Sequence, residues 1–186
     1  LLRCIEEVTS KNYDEWAAQW IFRGGYPILE IGFHWDNTHK IATVTIKQNQ
    51  KSENKDDELL FLLSTKLRFY YGKTEETFPV FLDNKENKFS FRLKNKPLFL
   101  RLDPDFEIPC KKIKLDLQRP MLSEQLKKDP DPIGRLEAAS ALVEKPSTEE
   151  IKLLSERLNK EKFWGVSIRI ASALKRIGGD LARDGL

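Results

Sequence analysis

The sequence predicts an α+β chain: an antiparallel β-sandwich of about seven strands, with a helical segment ahead of it and antiparallel helix pairs behind it. Three observations predict this. From Ile28 to Asp103 apolar residues recur with period two in short runs broken by turn residues. Before Gly24 and after Pro120 the apolar spacing becomes three and four. In the last third Ala139-Ser140-Ala141-Leu142 recurs as Ala171-Ser172-Ala173-Leu174, an internal repeat of the solenoid type.

Residues 1–23 read as two helices around a break at Thr9 to Asn12. Asn12 can cap the second helix with Glu15 at its third position, which sets Tyr13, Trp16 and Trp20 on one face before Gly24-Gly25 stops it. Leu29, Ile31, Phe33 and Trp35 then alternate with Glu30, Gly32 and His34, the pattern of a half-buried strand, and Asp36-Asn37-Thr38 turns the chain. Further strands are expected at Ile41 to Gln50, Leu60 to Tyr71, Thr74 to Asp83, Lys88 to Asn95 and Leu98 to Asp103. The polar loop Lys51 to Glu58, Tyr71-Gly72-Lys73 and Asp83 to Asn87 separate several of them. Residues 104–120 hold Pro104, Pro109 and Pro120, yet Ile113, Leu115 and Leu117 alternate there, so a seventh strand is expected rather than a free linker. Without helices between the strands, an antiparallel arrangement follows.

Helices are expected at Met121 to Lys128, Ile133 to Glu144, Thr148 to Asn159, Lys162 to Ile177 and from about Asp180. The short turns between them make neighbours antiparallel. Leu136, Leu142, Ile151, Leu154, Leu158, Val166, Ile170 and Leu174 form their apolar seam, and Trp164 is the expected anchor of the second repeat.

Chemistry is constrained mostly by what is missing. The only histidines are His34 and His39, with no His-Glu-x-x-His, so no zinc peptidase centre can be assembled; the two histidines read as solvent-facing residues flanking a strand turn. Neither Cys4 nor Cys110 has a histidine near it in sequence, and no Gly-x-Ser-x-Gly elbow occurs. Two distant cysteines read as buried free thiols in a reducing, cytoplasmic compartment, with a single long-loop disulfide as the alternative. Gly24-Gly25 follows a helix rather than a strand and so stops that helix instead of cradling phosphate. The 32 Lys and Arg stand against 29 Asp and Glu, and the resulting net charge of +3 with interspersed acids argues against nucleic acid as a partner. No apolar run approaches the roughly 20 residues that span a bilayer, so no membrane partner is expected either. The opening Leu1 to Val8 reads as the interior of an amphipathic helix, so the sequence is expected to be a piece of a longer one.

The segment Trp20-Ile-Phe-Arg-Gly-Gly-Tyr-Pro27, the later Gln48-Asn49-Gln50, and the Lys96-Pro97 and Leu102-Asp103-Pro104 pairs together resemble the aminopeptidase N family of zinc metallopeptidases. Asp131 to Leu142 and Phe163-Trp164-Gly165-Val166 to Leu174 resemble the HEAT-type helices of some members. The resemblance implies three parts: 1–26 as the helical tail of an upstream catalytic domain, 27–118 as a β-sandwich, and 119–186 as HEAT-like repeats. It further implies a non-catalytic accessory region that spaces and covers the peptide cleft of a zinc-dependent parent enzyme. Its partners would then be the upstream catalytic domain and the parent's peptide substrate. The alternative is a protein-interaction scaffold from an inactive relative, such as a transcription-initiation subunit. Ser167 departs from the family pattern where Arg is common, although Arg135 keeps it in the preceding repeat. The family's zinc-binding helix and amino-recognition motif precede this region, so no catalytic, cofactor-binding or metal residue carries over to any position, and no cofactor is expected in this chain.

Overall fold

The computed structural model describes residues 2–51, 59–109, 112–183 and Gly185. Most of the expected polar loop at Lys51 to Glu58, together with Cys110 and Lys111, lies outside the described residues.

Helix α1 (Leu2–Thr9) is followed by α2 (Asp14–Ala17), which widens into a π-helical turn over Ala18–Phe22. Asn12 does serve the start of α2, its Oδ1 accepting from Asp14 N at 2.8 Å, but Glu15 does not complete a reciprocal cap. Trp20 packs on Phe61 with ring centroids 5.3 Å apart, whereas Trp16 is exposed.

Seven strands follow: β1 (Ile28–Asp36), β2 (Ile41–Gln48), β3 (Leu63–Tyr70), β4 (Glu75–Leu82), β5 (Glu86–Arg92), β6 (Phe99–Leu102) and β7 (Lys112–Asp116). They form a four-stranded sheet in the order β5-β2-β1-β7 and a three-stranded sheet in the order β4-β3-β6. Pairing is antiparallel except between β1 and β7, which run parallel with Leu29 opposite Ile113 and Ile31 opposite Leu115. This corrects the wholly antiparallel expectation. The strand expected in 104–120 exists, but it returns to β1 across most of the β-region instead of through a hairpin, so no turn forces it to reverse. Pro79 fits within β4 because that strand is a sheet edge and one side of its backbone needs no donor.

Alternation places Leu29, Ile31, Ala42, Val44 and Ile46 of the larger sheet in one buried cluster with Leu63, Leu67, Phe69, Val80 and Leu82 of the smaller. Phe69 of β3 meets Phe91 of β5 at 5.3 Å and Phe78 of β4 at 5.8 Å, so aromatic rings join the two sheets.

The helices α3 (Arg119–Lys128), α4 (Pro132–Leu142), α5 (Thr148–Lys160), α6 (Trp164–Ile177) and α7 (Asp180–Arg183) complete the described chain. Asp131 caps α4, and Ser147 with Glu150 forms a reciprocal capping box on α5. Of the expected seam, Leu142, Leu154, Val166, Ile170 and Leu174 are fully buried, and Leu136, Ile151 and Leu158 pack against them. Both repeat copies bury their final leucine and expose their serine, Ser140 and Ser172. Trp164 corrects another expectation. At 71% exposed it anchors nothing in this chain, since Val166, Ile170 and Leu174 define the inward face of α6 and Trp164 starts the opposite one.

Candidate functional site

The polar side chains that the fold spends most on are gathered at three joints. The first binds the N-terminal helices to the β-region. Residues 59–62 enter no sheet, and side chains take over the bonding of their backbone. Gln48 Nε2 donates to Phe61 O at 2.7 Å and its Oε1 accepts from Phe61 N at 3.0 Å. Gln50 Nε2 donates to Leu59 O and to Gln48 Oε1, both at 2.7 Å, while its Oε1 accepts from Ile28 N. From the helical side Gln19 brackets Leu62 through both its amide atoms, and Arg23 donates to Leu60 O with its guanidinium over the Phe61 ring. Gly25, at φ +95°, brings the chain close to Leu59; a Cβ there would stand 3.2 Å from Leu59 Cδ2. Both halves of the sequence pattern, Trp20 to Pro27 and Gln48-Asn49-Gln50, are thus grips on one strip of backbone.

The second joint is the exit from the β-region. Asp103 is fully buried at φ +53°, and its carboxylate accepts from Thr65 Oγ1 at 2.8 Å, Glu107 N at 2.7 Å and Ile108 N at 3.2 Å. Lys66 and Arg68 of β3 hold the outside of the same loop through Asp105 and Glu107. The hydrogen bond from Lys66 is the chief reason that the Asp105 carboxyl lies below the usual carboxylate range.

The third joint fastens the helices to the sheets and to each other with arginines. Arg101 of β6 faces Asp129 and Asp131 in the α3–α4 turn. Arg119 reaches the carbonyls of Leu142 and Glu144 at the end of α4, each at 3.0 Å, and pairs with Glu150 in the capping box. Arg135 donates to Asp129 O and Pro130 O and pairs doubly with Glu161, which also takes Arg157 and the Phe163 N–H. Burial pushes the Glu161 carboxyl up, but Arg135, the Phe163 amide and Arg157 outweigh it and hold it down to about 2.

Among the described residues, those with catalytic potential do not converge. His39 is an exposed turn residue whose Nδ1 lies 2.6 Å from Asp36 Oδ2, and this contact is the leading cause of the lowered Asp36 carboxyl. His34 is exposed on β1 beside a hollow of about 310 Å³ on the sheet face. Cys4 is a free thiol but an exposed one, which corrects the expectation of burial, since the short helix α1 buries none of its residues. Among the described residues no group of three or more His, Cys, Asp or Glu is arranged to hold a metal ion, and no helix is long and apolar enough to cross a membrane. A groove of about 640 Å³ between the β1–β7 edge and α4 is lined by Ile28, Ile113, Leu115 and Leu136 with Glu137 and Arg169 at its sides. What the arrangement does chemically is hold parts together. Arg101 and Arg119 carry no mark in the sequence, because their partners are distant in the chain. The local signals in the third joint are the Ser147-x-x-Glu150 spacing and the Arg157–Glu161 pair one helical turn apart.

No family model and no curated protein sequence matches the chain. Among solved structures it is similar to the aminopeptidase A of Legionella pneumophila, crystallised in complex with aspartic acid, at 15% identity and a TM-score of 0.62. The likeness takes in 99% of this chain and 24% of that one, so the chain has the fold of about a quarter of the length of a peptidase.

Proposed function

We propose that the chain is a non-catalytic accessory region of an aminopeptidase N-like metallopeptidase, in which residues 27–118 act as a β-sandwich spacer and residues 119–186 as HEAT-like helices that cover the peptide cleft. The observation that carries this reading is the fold likeness to a Legionella aminopeptidase along nearly the whole chain. In this reading residues 1–26 end a catalytic domain that holds zinc and meets the peptide substrate. Helical surfaces left open in the chain support it. Val8, Ile21 and Phe22 are 85%, 51% and 75% exposed, apolar side chains suited to packing against the rest of a catalytic domain. Trp164 and Ile168 are uncovered on the outer face of α6, where a further helix pair would stack. The joints described above make the spacer stiff, since each fixes the path of the chain where one part passes into the next.

The test has two arms. The purified, metal-analysed chain is expected to hydrolyse no amino-acid anilide and to hold no stoichiometric zinc; turnover would overturn the non-catalytic reading. The polypeptide that contains this chain is expected to carry, upstream, a His-Glu-x-x-His motif with a later Glu, and an upstream sequence without that motif would overturn the peptidase assignment.

A further inference from the structure

Two sets of cations in the helical region are treated differently by the fold. Arg119 pairs with Glu150, and Arg135 and Arg157 pair with Glu161. The cations of α6 have no such partners. The helix contains no Asp or Glu, and among the described residues the exposed Arg169, Lys175 and Arg176 side chains make no hydrogen bond or ion pair. Val166, Ile170, Ala173 and Leu174 form its buried side. At about 3.6 residues per turn, Lys175 shares the outward direction of Trp164 and Ile168, and Arg169 and Arg176 stand two turns apart in a row beside them. Phe163 and Ile168 are 38% and 57% exposed. The Phe163 ring lies 5.9 Å from that of Trp164 and against Gly165, where a Cβ would stand 2.8 Å from Phe163 Cε1. An uncovered apolar patch at the start of α6 thus adjoins an uncompensated basic row that runs to its end.

Lys175 and Arg176 also complement the negative end of their own helix, but Arg169, in the middle of α6, has no such local reason to be basic. Whatever covers this face has to bring apolar side chains and negative charge in the spacing of a helix surface. A bilayer is the poorer match. It takes up a whole apolar helix face, whereas α6 keeps its main apolar side in the core and offers a short outer patch that gives way to charge. We propose that the outer face of α6 docks an acidic amphipathic helix, whose apolar row packs on Trp164 and Ile168 and whose carboxylates face Arg169, Lys175 and Arg176. That helix is the nearer member of the further pair that would stack on α6, so the inference rests on the stacking part of the proposed function and not on its peptidase part. Charge pairing of this kind sets which helix is accepted more than how tightly it is held.

Two synthetic helical peptides test it, both with leucines at three-and-four spacing, one flanked by glutamates and the other by lysines. Each is titrated into the intact chain while the Trp164 indole N–H resonance is followed, identified by its loss in Trp164→Phe. The glutamate peptide is expected to shift that resonance saturably and to bind about tenfold more tightly than the lysine peptide. The difference should shrink at about 0.5 M salt. The exposed double variant Arg169→Glu/Lys175→Glu, shown to be folded by circular dichroism, is expected to reverse the preference. Equal affinity for the two peptides, or no saturable binding of the glutamate peptide to the folded chain, would overturn the proposal. So would sedimentation of the chain with phosphatidylserine vesicles when neither peptide binds, a result that would mark a membrane surface instead. Turnover of an anilide would sink the non-catalytic reading and leave this one standing, while failure of the glutamate peptide would leave the peptidase assignment untouched.

Discussion

The sheets and the helices are held by different forces. In the β-region Phe69, Leu67, Leu29, Val44 and Ile46 are fully buried in one apolar cluster, and the buried polar grips Gln48, Gln50 and Thr65 are neutral, with Asp103 and Arg101 the charged exceptions. In the helical region the apolar seam is accompanied by guanidinium–carboxylate pairs: Arg119 with Glu150, Arg135 and Arg157 with Glu161. Those arginines close off helix ends and turns, where backbone carbonyls have no partner within their own helix. Sheets satisfy their backbone by pairing with neighbours, so they need little charge; short helices leave unpaired groups at every end, and here charged side chains come from elsewhere in the chain to meet them. The steeper pH response is therefore expected from the helical region, through Glu161, and a shallower one from the β-region, where the Lys66 hydrogen bond holds the Asp105 carboxyl low.

The largest effect is expected where the apolar cluster is cut. Phe69→Ala removes the ring that touches both Phe78 and Phe91, and should cost about 3–5 kcal/mol of stability in denaturant titrations. That loss should stay the same from low to high salt. If it were strongly salt-dependent, the apolar account of the β-region would fail.

Acid should act next, and on the helices. The Glu161 carboxyl is held at about 2 against an ordinary 4.5, so its folded-state pKa is depressed. Its contribution to stability is complete above about pH 4.5 and is lost as the pH falls towards about 2, amounting to about 3 kcal/mol over that window. Stability measured by denaturant titration at pH 5 and pH 2.5 should show this loss in the native chain, and Glu161→Gln should flatten it. An equally steep acid profile in the Glu161→Gln chain would move the pH response away from the helix clamps.

The smallest effect sharpens the contrast from the other direction. Trp164→Ala removes a large aromatic side chain, yet at 71% exposure the change should stay within about 0.5 kcal/mol of the parent in a thermal melt. A loss of several kcal/mol would return Trp164 to the role of anchor that its size suggests.

Features that depend on near neighbours in the chain are legible in the order of its residues. Period-two alternation drew β1 through β6 close to their true positions, and alternation at Ile113, Leu115 and Leu117 found β7 inside a proline-rich stretch. Three-and-four spacing found α3 to α6 and their seam. Only the tertiary structure decided which strand β7 joins and in which direction, because no hairpin constrains it. It also decided that Gln48, Gln50, Gln19 and Arg23 grip the same few backbone groups, and that Trp164 points away from Val166 and Ile170. The physical reason is one of range. Periodicity and capping are set within a turn or two of the chain, whereas a buried arginine such as Arg101 acquires its meaning from carboxylates that only folding brings to it.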